Sequence, residues 1–224
     1  MNTVVKNPSD CANSIVRPSM PKHRDIVFAL KGLRGKVDFD VPLRELTTLK
    51  IGGPADVLFI PEDFEDLCQL MRQAWVSQLP VIVLGGTNVL IRDGGVKGIV
   101  VLLSQLTRIQ DQKYSVVYAE AGVRMPTLLG HTISRSLSGL EWAAGIPGTL
   151  GGAVAMNAGT HLGEMKDCLK AIHFVNREGQ LMIYPASSIS FSYRHTALPE
   201  GVVVGAWIQL TSSVISKIES PATS

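Results

Sequence analysis

Four glycines and a proline fall within nine residues at 145–153: Gly145, Ile146, Pro147, Gly148, Thr149, Leu150, Gly151, Gly152 and Ala153. Glycine reaches backbone angles closed to other residues and admits a second backbone or a ligand at close range. Pro147 fixes one angle and removes a donor. Between apolar segments, such a run turns several N–H groups into one concavity, a shape suited to a pyrophosphate. The same residues also make a tight turn in a packed core, and a short glycine motif does not separate these readings by itself.

A second glycine-rich bend, Gly85, Gly86, Thr87 and Asn88, closes the apolar run at 81–84. Ligands in open α/β sheets gather at the carboxyl ends of strands. Two backbone cradles from two halves of a chain can therefore hold one elongated dinucleotide between them. Neither bend has the G-x-G-x-x-G spacing, so a plain Rossmann site is rejected. Asn157, Ala158 and Gly159 follow the longer loop; Asn157 either reads the edge of a cofactor ring or forms an ordinary turn. Arg194 follows Phe191, Ser192 and Tyr193 just before the last apolar run. A guanidinium there is a planar fork for a carboxylate or an enolate oxygen, or a surface charge. His131, His161 and His173 show no ligand spacing, so no metal site is expected, and Trp75 and Trp207 read as core.

The segments between the loops change character along the chain. The run at 57–60 reads as a strand stopped by Pro61, and Phe64, Leu67, Met71, Ala74 and Trp75 then recur at helical spacing. Glu62, Asp63 and Glu65 suit the positive end of that helix. The apolar runs at 81–84 and 99–103 read as buried strands, which makes an α/β unit. After 110 the pattern becomes α+β: a strand at 116–121, a helix at 127–137, and a hairpin of 171–175 with 181–184 around Glu178 and Gly179. The runs at 202–204 and 206–210 complete it. The expected division is a flexible extension at 1–24, one subdomain at 25–110, a second at 111–212 and a polar tail at 213–224.

Apolar residues make up 46% of the 224-residue chain, enough for a sizeable core, and 21 basic against 19 acidic side chains leave a net charge of +2. That balance gives no broad basic field for nucleic acid or a membrane surface, but leaves room for a local cationic pocket. Three distant cysteines, Cys11, Cys68 and Cys168, suggest neither a disulfide framework nor a zinc cluster. A reducing cytoplasm fits, with no apolar leader and no run of membrane-spanning length.

Six motifs stand in order: Thr48 to Ala55, Leu84 to Leu90, Gly139 to Glu141, the loop at 145–153, Met156 to Gly159, and Tyr193 to His195. Together they resemble the UDP-N-acetylenolpyruvoylglucosamine reductase family over about residues 40–212. The resemblance implies the two-subdomain FAD-binding fold of the vanillyl-alcohol-oxidase (PCMH) type. It implies FAD as cofactor, NADPH as reductant and an enolpyruvyl UDP-sugar as the substrate reduced, in peptidoglycan precursor synthesis. By the same resemblance, Gly85, Gly86, Thr87 and Asn88 line the pyrophosphate. Gly145, Ile146, Pro147, Gly148, Thr149, Gly151 and Gly152 support it and the ribityl chain, and Asn157, Ala158 and Gly159 lie near the isoalloxazine. Arg194 corresponds to the arginine that stabilises the enolate. The phosphate loop is one residue shorter than the usual Leu-Gly-x-Gly-Ser-Asn. The family also carries a third, C-terminal domain with the proton donor and a glutamate, and Ser224 comes before its expected start. The alternative is therefore a FAD-binding module without complete catalysis, with a separately encoded substrate domain as its partner. In either case the cofactor is expected to fill the space between two halves that dock loosely without it.

Overall fold

The computed structural model describes residues 23–85, 87 and 89–213. Residues 1–22 of the expected extension, 214–224 of the expected tail, and Gly86 and Asn88 lie outside the described residues.

The chain opens with α1 (His23–Ala29), β1 (Lys36–Pro42) and β2 (Pro54–Ile60), followed by α2 (Phe64–Val76), β3 (Val81–Val83) and β4 (Val96–Val101). The four strands form one sheet in the order β1-β2-β4-β3, with β1 antiparallel to β2 and the other pairs parallel. The α2 crossover explains the parallel pairing, since parallel neighbours need a long connection. Asp63 caps α2 by accepting from the Asp66 N–H at 2.9 Å. Asp66 is buried, and its carboxylate accepts from the N–H groups of Arg34, Gly35 and Glu62 at 2.8–3.0 Å. One side chain thus ties the helix start to the segment that leads into β1.

β5 (Ile109–Gln112), β6 (Val116–Glu120), α3 (Met125–Ser134), β7 (Leu137–Ser138) and α4 (Leu150–Ala155) come next. They are followed by β8 (Gly159–Thr160), β9 (Gly163–Glu164), α5 (Met165–Cys168), β10 (Leu169–Asn176) and β11 (Leu181–Pro185). The chain then forms β12 (Ser190–Ser192), β13 (His195–Ala197), β14 (Gly201–Gln209) and β15 (Thr211–Ser212). A five-stranded antiparallel sheet runs β11-β10-β14-β6-β5. The hairpin expected around Glu178 and Gly179 is β10–β11, and the two apolar runs after residue 200 are one strand, β14. Thr211 and Ser212, at the end of the expected second subdomain, pair with β7.

α3, α4 and α5 cover one face of this sheet around Met125, Leu128, Leu150, Met165, Ile172 and Ile208. A second core joins the two sheets: Val57, Phe59, Leu67, Leu70 and Ile99 pack with Ala121, Val175, Val202 and Val204. Each such aliphatic or aromatic side chain contributes about 1.5–3 kcal/mol when fully buried. The expectation of two halves held together mainly by a cofactor is thereby corrected, because a continuous apolar core already joins them.

Two readings of burial change. The run at 81–84 forms an edge strand, with Ile82 46% and Val83 39% exposed rather than buried. Leu84 at the end of the run is buried as expected, and the open side chains of Ile82 and Val83 are ones that periodicity cannot distinguish from core. Trp75 is likewise not core: it is 42% exposed and stacks under the Arg177 guanidinium, 3.6 Å from the ring centre.

Candidate functional site

The two glycine-rich bends meet. A cleft of about 710 Å³ lies between the sheets and is lined by Gly85 and Thr87 from one bend and by Pro147, Gly148, Thr149, Gly151 and Gly152 from the other. Leu102, Leu103, Ala155, Phe174, Leu198 and Val203 add apolar wall, while Thr48, Ser104 and Thr107 add hydroxyls. This volume falls in the range of cofactor sites, which are largely apolar with a few placed polar groups.

Backbone geometry explains the glycines. Gly148 has φ +100°, and a Cβ there would come within 2.8 Å of Thr87 Oγ1, so the two bends nearly touch. A Cβ on Gly151 would come within 2.8 Å of the Ala121 Cβ, because α4 lies directly against the end of β6. The Leu150 and Gly151 N–H groups donate to Val123 and Ala121 carbonyls at 2.8 and 2.9 Å, fixing the start of α4 on that strand. A Cβ on Gly85 would meet nothing within 4 Å, and one on Gly152 only Thr149 Oγ1 at 3.8 Å. Those two glycines leave the backbone bare where the cleft opens. A dinucleotide fits this arrangement: two bare backbones face each other across a space with hydroxyls and apolar wall.

Gly145, Ile146, Asn157, Ala158, Gly159 and Arg194 do not line this cleft. Ile146 packs against the core of the five-stranded sheet, and Gly145, at φ +79°, faces open space. Ala158 is buried and its carbonyl accepts from the Met165 N–H at 2.8 Å. Gly159 packs its backbone against Glu164 in the β8–β9 pair. Asn157 is 1% exposed: its amide donates to Glu164 Oε2 at 2.7 Å and the Ser192 carbonyl at 3.2 Å, and its oxygen accepts from the Lys166 N–H at 3.1 Å. Its polar atoms are engaged within the protein. Glu164 also pairs with the Lys166 ammonium.

Arg194 occupies the two-residue turn between β12 and β13, at φ +56°. It is exposed, with its guanidinium 5.7 Å from the Tyr193 ring centre. Two bonds anchor the hairpin: Asn157 to the Ser192 carbonyl, and Thr196 Oγ1 to the Val154 carbonyl at 2.6 Å. The turn bearing Arg194 is thus fastened to α4, whose other end lines the cleft. The residue that sequence reasoning missed is Arg124, which lines the cleft beside Thr149. It lies outside both glycine runs, and only its isolated bridge to Thr149 and its place on the cleft wall reveal it.

Among the described residues no group of three or more His, Cys, Asp or Glu side chains could hold a metal ion, and no helix is long and apolar enough to cross a membrane.

Comparison with known proteins agrees with this geometry. The FAD binding domain family matches residues 55–183, a span that contains both glycine bends. The chain belongs to this family. FAD is accordingly the cofactor of this FAD-binding domain, and the cleft between the bends fits it. UDP-N-acetylenolpyruvoylglucosamine reductase of Acidiphilium cryptum is 42% identical over 186 residues, covering 82% of this chain and 60% of that protein. The reductase of the same name from Lactobacillus delbrueckii subsp. bulgaricus is 41% identical over 187 residues, covering 82% and 63%. The chain thus spans about three-fifths of the length of these relatives. The crystal structure of UDP-N-acetylenolpyruvylglucosamine reductase from Thermus caldophilus superposes with a TM-score of 0.67 at 34% identity, covering 80% of this chain and 63% of that one. Alkyldihydroxyacetonephosphate synthase, at 18% identity and a TM-score of 0.55 over 71% of this chain and 34% of its own, shares the fold. The fold is the FAD-binding fold of the vanillyl-alcohol-oxidase type, α/β in its first sheet and α+β in its second.

Proposed function

We propose that this FAD-binding domain takes part in the NADPH-dependent reduction of UDP-N-acetylglucosamine enolpyruvate to UDP-N-acetylmuramate, a cytoplasmic step of peptidoglycan precursor synthesis. What carries the reading is the meeting of two separate glycine bends around one cleft, together with about 40% identity to reductases of that name. Bound FAD supplies two-electron chemistry. The bends at 85–88 and 145–152 hold its pyrophosphate and ribityl chain through bare backbone. The subdomains are taken at 25–110 and 111–212, a division close to the passage of the chain from β4 of the four-stranded sheet to β5 of the five-stranded one. The segment at 157–159 acts through the turn it fastens. Arg194 presents its fork of donors to the substrate carboxylate and stabilises the negative charge that develops there. A preorganised donor of this kind is worth about 3–4 kcal/mol in the transition state.

A second reading, a FAD-binding module that needs a separate substrate domain, is favoured by the position of Arg194. Its turn lies outside the cleft, and Tyr193 beside it is 87% exposed. Purified chain is assayed with FAD, NADPH and the enolpyruvyl UDP-sugar. Turnover, abolished in Arg194→Ala with FAD retained, supports the first reading. Slow NADPH oxidation that ignores the UDP-sugar supports the second. Undiminished turnover in Arg194→Ala removes that residue from the mechanism.

A further inference from the structure

The cleft contains one charged side chain among the described residues that line it, Arg124. Among the described residues no carboxylate lines the cleft, and the Arg124 side chain, which is exposed, makes no ion pair or hydrogen bond. Its backbone is already committed: Arg124 bridges Thr149 in antiparallel fashion, the Met125 N–H donates to the Gly148 carbonyl at 3.0 Å, and the Arg124 carbonyl accepts from the Leu128 N–H at 3.0 Å. The side chain contributes nothing to capping α3. The fold therefore uses the Arg124 backbone and leaves the guanidinium free.

The position of that free cation is specific. The bridge sets Arg124 directly across from Thr149, one residue beyond Gly148, whose missing Cβ leaves room for Thr87. Arg124, Thr149 and Thr87 therefore converge where the two glycine bends meet. A cation without a counter-charge, beside bare backbone and two hydroxyls, suits an oxyanion with several acceptor oxygens. The guanidinium fork matches phosphate geometry in particular. The rest of the wall, including Leu103, Phe174 and Leu198, suits uncharged parts of a ligand.

We propose that Arg124 is a binding residue for the diphosphate of the dinucleotide, supplying the positive charge that the two backbone cradles lack. This rests on the assignment of FAD to the cleft and adds to it a residue outside both glycine runs. It also locates the cationic pocket that a net charge of +2 left open.

The test measures affinity by quenching of flavin fluorescence for FAD and riboflavin, and by competition for ADP, at low and high salt. The native chain should bind FAD and ADP more weakly as salt rises, because ions screen the contact. Arg124→Gln should weaken FAD and ADP by about tenfold or more, the usual scale for a hydrogen bond to a charged group. It should also flatten the salt dependence and leave riboflavin, which has no phosphate, unchanged. Arg124→Lys should keep the salt dependence. Native affinity for FAD and ADP in Arg124→Gln overturns the proposal. So does an equal loss for riboflavin, which would mean that the side chain shapes the cleft. Should Arg124→Gln not fold, salt-independent FAD binding by the native chain overturns it alone. A native chain that takes up no FAD at saturation overturns the cofactor assignment as well.

Discussion

At the scale of single residues, buried polar atoms explain more than exposed charges do. Asn157 is itself buried and ties Glu164 and Lys166 to the distant Ser192 through three hydrogen bonds. Asn157→Ala should therefore lower stability by about 2–4 kcal/mol, since each hydrogen bond contributes about 0.5–1.5 kcal/mol and one to a charged group more. Denaturant titration checks the size of the loss. Gly148→Ala should lower both stability and FAD affinity, because φ +100° strains any side chain and the new Cβ meets Thr87 Oγ1 at 2.8 Å. Native affinity in that variant would mean that the two bends do not act together. His173 sits among the rings of Phe64, Tyr118 and Trp207, with the Tyr118 hydroxyl 3.2 Å from its Nδ1. Burial pushes its pKa below the usual 6.5. As pH falls, the unfolded chain takes up that proton first. The contribution is thus fully present above about pH 6.5 and is lost as pH falls from the unfolded value through the lower folded one. Melting temperatures across this range should decline less steeply with acid in His173→Phe than in the native chain.

At the scale of elements, α2 was legible because two independent signals agree: apolar residues at helical spacing, and acidic residues at its start. The structure uses the acids more specifically than a helix dipole requires. Asp63 caps the helix, while Asp66 turns inward and satisfies three N–H groups on the approach to β1 and α2. Asp66→Ala should cost about 3 kcal/mol or more, well beyond an exposed cap, because it removes three hydrogen bonds to one buried carboxylate at once. A loss near that of an ordinary cap would show that water replaces the carboxylate. The β10–β11 hairpin was equally legible, since a Glu-Gly pair between apolar runs is a local signal. β3 was placed but its burial was misread. An apolar strand looks the same whether protein or a ligand covers it, and Ile82 and Val83 stand at a sheet edge. Trp75 was misread for a related reason: its partner Arg177 lies about a hundred residues away in the chain.

At the scale of the molecule, the cleft is framed by sheets that already share a core, so a bound cofactor adds to a folded frame. FAD in hundredfold excess over its dissociation constant should stabilise the chain by about 2.7 kcal/mol, provided that it binds the native state alone. A melting curve unchanged by saturating FAD would count against the site. Because Val57, Phe59 and Leu67 pack with Val175 and Val202 across the sheets, the chain without FAD should still unfold in one cooperative transition. Two separate transitions without FAD would show that the shared core is weaker than its burial indicates.

The amino-acid sequence alone determined the local chemistry: where the backbone can bend, where a helix starts, and which residues supply bare N–H groups or a guanidinium. Those properties depend on neighbours in the chain. Only the tertiary structure decided which bends face each other and which polar side chains are already satisfied. It engaged Asn157, set Arg194 on an outer turn and left Arg124 in the cleft, because contacts between distant segments join residues that no local spacing connects.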